Sequence, residues 1–317
     1  MALPGTRYKA PSEGDLRFLD PQTIARVSNL ELVARFIVEG FLIGLHQSPY
    51  HGFSSEFTSY RKYVKGDPFK FVDWKAAART DRLYIKQFEE NTNTRAYLLV
   101  DGSASMRFGG PGSRPGAKTA GIQKWLYARS LAAALAYLMV HQGDAVGLAI
   151  YRDGTPEVIP PRGGTVHLNA ILRGLGVSKP EGKTDTAAGL ASLPERLARR
   201  GLVILIGDLL DDTERTVEAL KSFRLRGHEL IVFQVLTPEE RQFPYRENYE
   251  FVDAETGEKL SAQASYIAAA YRKALGEHTE ALKRFCRQND VDFVELDTAA
   301  SLATALVGFL NRRKGAR

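Results

Sequence analysis

A single cysteine, Cys286, stands in 317 residues, so no disulfide can form within the chain and a zinc site built on several thiolates is excluded. A reducing compartment fits that usage. Long apolar runs are lacking as well. The longest, Val27 to Leu45, is interrupted by Glu31, Arg35 and Glu39, each costly at a bilayer centre. It predicts a soluble amphipathic helix that packs on the rest of the protein through Leu32, Val33, Phe36, Ile37, Phe41, Leu42 and Leu45. Met1 to Leu16 holds Pro4, Pro11 and scattered charges but no apolar core, which reads against a secretory signal. No internal repeat is visible. A cytoplasmic protein is expected.

What is present is ordinary for a folded globular chain: 44% hydrophobic and 25% charged residues, which argues against disorder or a fibre. The formal net charge of +6 permits attraction to nucleic acid, anionic lipid or an acidic protein surface and selects none of them. Lys and Arg are spread along the chain and include helix-face residues such as Arg196, Arg199 and Arg200, so a solvated surface accounts for most of the excess.

From Arg95 onward short apolar runs alternate with longer helical segments. Strands are predicted at Ala96 to Val100, Ala145 to Tyr151, Leu202 to Gly207, Glu229 to Leu236 and Asp292 to Leu296, each bounded by turn residues. Helices are predicted near Gln123 to His141, Val166 to Leu175, Thr186 to Arg199, Thr213 to Leu225, Ala264 to Gln288 and Ser301 to Asn311. This alternation specifies an α/β fold, an open and mainly parallel sheet with helices on both faces, whose ligands bind beyond the carboxyl ends of the strands. Gly109 to Gly121, rich in Gly, Pro and Ser, reads as a surface loop, and Pro238 to Lys259 as a hairpin insertion. Residues 1–92 lack the alternation and form a smaller N-terminal α+β unit, with 93–317 as the sheet domain. The short join between them predicts close packing.

Chemistry is concentrated in Tyr97-Leu98-Leu99-Val100-Asp101-Gly102-Ser103-Ala104-Ser105, which sets one carboxylate and two hydroxyls just past the first strand. Taken alone, these residues read better as turn and helix caps than as a site. Two further groups arrive at neighbouring strand ends: Thr184, within Gly182-Lys183-Thr184-Asp185-Thr186, and Asp208, after Ile206-Gly207. An acid with several hydroxyls suits magnesium, a hard cation with oxygen ligands that commonly keeps some of its water.

The order Asp-x-Ser-x-Ser, then a Thr opening a helix, then an Asp closing the next strand resembles the metal-ion-dependent adhesion site of von Willebrand factor A domains. That resemblance implies a site for Mg2+, Mn2+ or Ca2+ made by Asp101, Ser103, Ser105, Thr184 and Asp208, with one coordination position left for the carboxylate of an acidic protein surface. Two departures are Thr186, a second threonine close to Thr184, and Leu209, where a glycine commonly follows the acid. A wider string, Tyr60 to Asp67 with Val72-Asp73-Trp74-Lys75-Ala76-Ala77-Ala78-Arg79-Thr80 and Leu83 to Glu90, resembles the bacterial family known as domain of unknown function 58. It implies a partner of the MoxR-type AAA ATPases and an adaptor or chaperone-like role in assembling other proteins. No reaction follows from it.

Rival readings are weaker. A haloacid dehalogenase-like phosphatase needs a second Asp two positions after the first, and that position is Ser103. A magnesium-dependent phosphate-ester hydrolase therefore lacks an identifiable nucleophile or base, and no catalytic residue is assigned. Gly182-Lys183-Thr184 fails as a phosphate-binding loop because the upstream glycine, Gly176, is one residue too far and no strand precedes it. No Gly-x-Ser-x-Gly is present, and His141, His167 and His228 lack triad or zinc spacing. The segment Tyr60 to Glu90 has eight basic residues against five acidic ones, with Tyr60, Tyr63, Phe69, Phe71, Trp74 and Tyr84 among them. These could stack bases, but packing against the sheet domain is the favoured reading, so a nucleic-acid-binding role ranks behind the others.

Overall fold

A computed structural model describes residues 21–47, 60–62, 84–86, 94–110, 122–152, 156–182, 186–197, 199–303, 305–307 and 309. Two helices, α1 (Pro21–Ile24) and α2 (Leu30–Gln47), precede a short antiparallel pair, β1 (Tyr60–Lys62) and β2 (Tyr84–Lys86). Most of the basic aromatic segment lies outside the described residues. The main sheet then runs through β3 (Arg95–Asp101), α3 (Lys124–His141), β4 (Ala145–Tyr151), β5 (Glu157–Arg162), α4 (Thr165–Val177), α5 (Thr186–Ala191), α6 (Leu193–Arg196) and β6 (Leu202–Gly207). After it come α7 (Thr213–Leu225), β7 (Glu229–Leu236), α8 (Pro238–Gln242), the hairpin β8 (Asn248–Val252) and β9 (Lys259–Gln263), α9 (Ala264–Gln288) and β10 (Asp292–Asp297). Residues 302–303, 305–307 and 309 are helical.

The strand order β10-β7-β6-β3-β4-β5 makes one six-stranded sheet. Every pairing is parallel except that of β4 with β5. The five predicted strands are therefore all present, and β5 is an addition. Its Pro160 and Pro161 fit its place at the sheet edge, since a residue without an N–H is tolerated on an edge strand.

Strand side chains alternate between two apolar layers, as a period of two requires. Ala96, Leu98 and Val100 of β3 join Ile204, Phe233 and Leu296 in a core with α2, α3, α4 and the last helical residues. Tyr97 and Leu99 join Val203, Leu205 and Val232 in a second core with α5, α6, α7 and α9. Helix α3 is buried on almost every side, with Ala132, Ala133, Leu135 and Ala136 fully enclosed, because α2 lies across it. Val33, Ile37 and Phe41 of α2 belong to the same core cluster as Leu131 and Leu138, while Leu32 stays exposed. The predicted helix near Thr186 to Arg199 is instead two short ones, since Pro194 at the start of α6 cannot donate the N–H that would continue α5.

Candidate functional site

The carboxyl ends of β3, β4 and β6 meet at one rim, and the parity of β3 decides which side chains arrive there. Asp101 follows Tyr97 and Leu99 on the same face, beside its cross-strand partner Tyr151. The turn after it is held from both sides: the Gly102 N–H donates to Tyr151 O at 2.9 Å, and the Ser103 N–H to Asp101 Oδ1 at 2.9 Å. Ala104 to Arg107 then form a short 3-10 turn.

Ser105 Oγ donates to Asp208 Oδ2 at 2.8 Å. Its only proton is used in that bond, so Ser103 must be the donor in the 2.9 Å contact between the two hydroxyls. A relay from Ser103 through Ser105 to Asp208 results. Of the five residues predicted to share a site, Asp101, Ser103, Ser105 and Asp208 are thus brought together, although Asp208 lies more than one hundred residues from the serines. Thr184 lies outside the described residues. The chain just before it is tied to the serine turn: Ala104 N–H donates to Gly182 O at 3.1 Å and Glu181 N–H to Gly102 O at 2.9 Å.

Asp208 is fixed by its own surroundings. Gln234 Nε2 donates to its carbonyl at 3.2 Å and the Leu210 N–H reaches its Oδ1 at 3.4 Å. Leu209 adopts φ 55, a left-handed conformation costing a non-glycine residue about 1–2 kcal/mol, which is the physical reason a glycine is favoured after this acid. Leu209 is held there by full burial and by His278, whose Nε2 donates to its carbonyl at 2.6 Å while Nδ1 faces Thr213 Oγ1 at 2.7 Å.

Two residues that sequence reasoning missed complete the centre. Lys124, the first residue of α3, is buried, and its Nζ donates to Asp208 Oδ2 at 2.7 Å and to Glu240 Oε1 at 2.6 Å. Glu240 is positioned by a capping box on α8: its Oε2 accepts the Thr237 N–H at 2.8 Å, and its own N–H donates to Thr237 Oγ1 at 3.1 Å. The sequence carried one signal for this, Thr237-Pro238-Glu239-Glu240, a helix-start pattern.

Electrostatics follow from crowding three acids around one ammonium in a buried place. Burial, and next the charge of Asp208, push the Asp101 carboxyl up to about 7. For Asp208 burial works in the same direction but is outweighed by the charge and hydrogen bond of Lys124, which hold it below the usual carboxylate range. Burial opposes the charge on Lys124, yet Asp208 and Glu240 keep it above the ordinary ammonium range. Glu240 is raised, by burial first and then by Asp208. The Tyr151 hydroxyl is raised well above its ordinary value by burial, then by Asp101.

Gly207 makes the convergence sterically feasible. A Cβ placed there would lie 2.8 Å from Tyr151 Oη, 2.9 Å from Asp101 Cβ and 3.1 Å from Asp101 Oδ2. Gly207→Ala is therefore expected to cost about 1–3 kcal/mol in urea unfolding and to displace Asp101. A cost within about 0.5 kcal/mol of zero, the usual range for a surface substitution, would show that the rim yields freely. The three histidines weighed in the sequence lie elsewhere: His141 stacks on Tyr137, His167 contacts the Val146 carbonyl, and His228 is buried beside Tyr97 and Phe223.

The family model described as protein of unknown function DUF58 matches residues 59–281. The uncharacterized protein Rv1480 of Mycobacterium tuberculosis (strain ATCC 25618 / H37Rv) is 28% identical over 325 aligned residues, which cover 98% of each chain. The uncharacterized protein YeaD of Bacillus subtilis (strain 168) is 28% identical over 132 residues, 41% of this chain and 29% of that one. Among solved structures, BatB from Bacteroides thetaiotaomicron superposes with a TM-score of 0.43 at 14% identity, covering 71% of this chain and 100% of its own. The SpRpn10 VWA domain gives a TM-score of 0.39 at 11% identity, covering 68% and 94%.

Proposed function

The chain belongs to the family described as protein of unknown function DUF58, and from that premise and the rim geometry we propose that it is a protein-binding adaptor whose contact with its partner depends on a divalent metal ion. The residues that would hold the ion are Asp101, Ser103, Ser105 and Asp208, with Thr184 as the fifth. When bound, the ion supplies a positive charge that an acidic side chain of a partner can engage. The partner in this reading is a MoxR-type AAA ATPase, and the work is chaperone-like assembly or maturation of other proteins.

One observation carries the proposal. Asp101 Oδ2 is buried and makes no hydrogen bond of good geometry among the described residues, and the Tyr151 hydroxyl beside it interacts with the Asp101 carboxyl without satisfying either group. An orphaned carboxylate oxygen next to a second carboxylate is costly unless a proton or a cation takes it up, and a dication can do so for both acids at once. The charges agree: three carboxylates, Asp101, Asp208 and Glu240, surround the Lys124 ammonium, and a single dication would neutralise the remainder. The donor set points to a hard ion. Among the described residues no group of three His, Cys, Asp or Glu side chains is placed to hold a metal, so the serine hydroxyls would have to take part, as suits magnesium or manganese. The residues divide the work: the hydroxyl relay orients lone pairs toward the rim, Asp208 anchors the relay, and Asp101 offers its open oxygen.

No helix of the described residues is long and apolar enough to cross a membrane. Capture of an ATPase partner by the purified chain is expected with magnesium and lost with chelator. Asp101→Ala should abolish it while circular dichroism stays unchanged. Capture that survives both treatments would end the metal-dependent reading, and turnover of a phosphate ester with magnesium would favour the hydrolytic one.

A further inference from the structure

We propose that Lys124 sets the ion affinity of this site: it is a resident monovalent cation that competes with a divalent ion for Asp208, with Glu240 as its alternative acceptor. The inference rests on the metal-dependent reading and concerns how that site is regulated.

The position is an expensive one for an ammonium. Lys124 is 1% exposed and begins an 18-residue helix, where the macrodipole presents its positive end. Packing alone would be served by an apolar side chain of the same length, which avoids the desolvation of a charge. What the ammonium does that such a side chain cannot is occupy a carboxylate oxygen. Asp208 Oδ2 receives both Lys124 Nζ at 2.7 Å and Ser105 Oγ at 2.8 Å, so a dication drawing on that oxygen must displace the ammonium or share with it against their mutual repulsion.

Glu240 makes displacement feasible. Its Oε2 is held by the Thr237 N–H, which leaves Oε1, already 2.6 Å from Nζ, as an acceptor in place whether or not Asp208 is engaged. Lys124 can therefore give up one carboxylate without being stranded as an unpaired buried charge. Phe108, whose ring centroid is 5.9 Å from Nζ, is partly exposed and donates its N–H to the Ser105 carbonyl at 3.1 Å. The lysine is thus in contact with the rim that a partner would cover.

The test is manganese binding to the full chain, read by the loss of free-ion signal in electron paramagnetic resonance and by isothermal titration. Lys124→Met removes the competitor and is expected to tighten binding by about tenfold or more, since two like charges no longer repel across a few ångströms. Glu240→Gln keeps an acceptor oxygen but removes the charge that holds a displaced ammonium, and is expected to weaken binding. Equal affinity in the wild type and Lys124→Met overturns the proposal and leaves the metal site standing. Binding in Lys124→Met alone supports the proposal and shows that the lysine keeps the wild-type site closed to free ions. No binding in either ends both readings. Should Lys124→Met fail to fold, Lys124→Gln takes its place: tighter manganese binding than in the wild type supports the competition, and equal or weaker binding refutes it.

Discussion

Asp208→Ala is expected to destabilise the metal-free chain by about 3–5 kcal/mol, measured by urea unfolding near neutral pH. The side chain is the common acceptor of Ser105 Oγ and Lys124 Nζ and also takes the Leu210 N–H. Its removal leaves a buried ammonium with Glu240 alone at the positive end of α3. It also leaves the Ser103–Ser105 relay without its terminus. Asp208→Asn separates the two contributions: the amide oxygen can still accept hydrogen bonds but lacks the charge, so a loss of about 1–3 kcal/mol is expected. A loss below about 1 kcal/mol for the alanine variant, no more than an ordinary hydrogen bond contributes, would mean that Lys124 is adequately held by Glu240, and that Asp208 has little part in the fold.

Sequence reasoning located the sheet because the signals for it are local. The β3, β6 and β7 runs are apolar, short and bounded by Gly, Asp or Thr, and such runs have few alternatives to a buried parallel strand. The same locality explains the gaps. Strand β5 hides behind two prolines, and the break between α5 and α6 depends on where Pro194 falls within a turn. That Asp101, Ser103, Ser105 and Asp208 would meet was legible from their places after strand ends and from the adhesion-site resemblance, since strand order in a doubly wound sheet carries those ends to one rim. Lys124 was not legible. A lysine opening a helix reads as a solvated charge, and its acceptors are 84 and 116 residues away. Nothing in the spacing shows that Asp208 after β6, Glu240 of α8 and Phe108 would close around it. Leu209 was noticed only as a departure from glycine, whereas its left-handed φ and its tie to His278 on α9 emerge from the tertiary packing.

The pH dependence of stability should carry the imprint of Asp101, with a sign opposite to that of a salt-bridged carboxylate. Its folded-state value lies near 7 against an ordinary 3.8, because burial and the Asp208 charge disfavour the anion. Between those values the folded chain holds one proton more than the unfolded chain, so stability falls as pH rises from about 4 to about 7, by at most about 1.4 kcal/mol per pH unit, and this contribution then levels off. Asp208, held low by Lys124, contributes in the opposite sense and only on the acid side: its stabilisation is present above the ordinary carboxylate value and is lost as pH falls below it. Comparing the wild type with Asp101→Asn isolates the first effect. The variant should be the more stable protein at about pH 8 without metal, and the advantage should vanish toward about pH 4. Under the proposed function the dication and the Asp101 proton exclude one another, so ion binding near about pH 6 should release close to one proton, measurable by titration calorimetry in buffers of different ionisation enthalpy. A wild type whose stability relative to Asp101→Asn is flat across that acid-to-neutral range would show that Asp101 reaches solvent or is neutralised by Lys124 in the folded chain, and that the orphaned oxygen at the rim is no longer an argument for a bound ion.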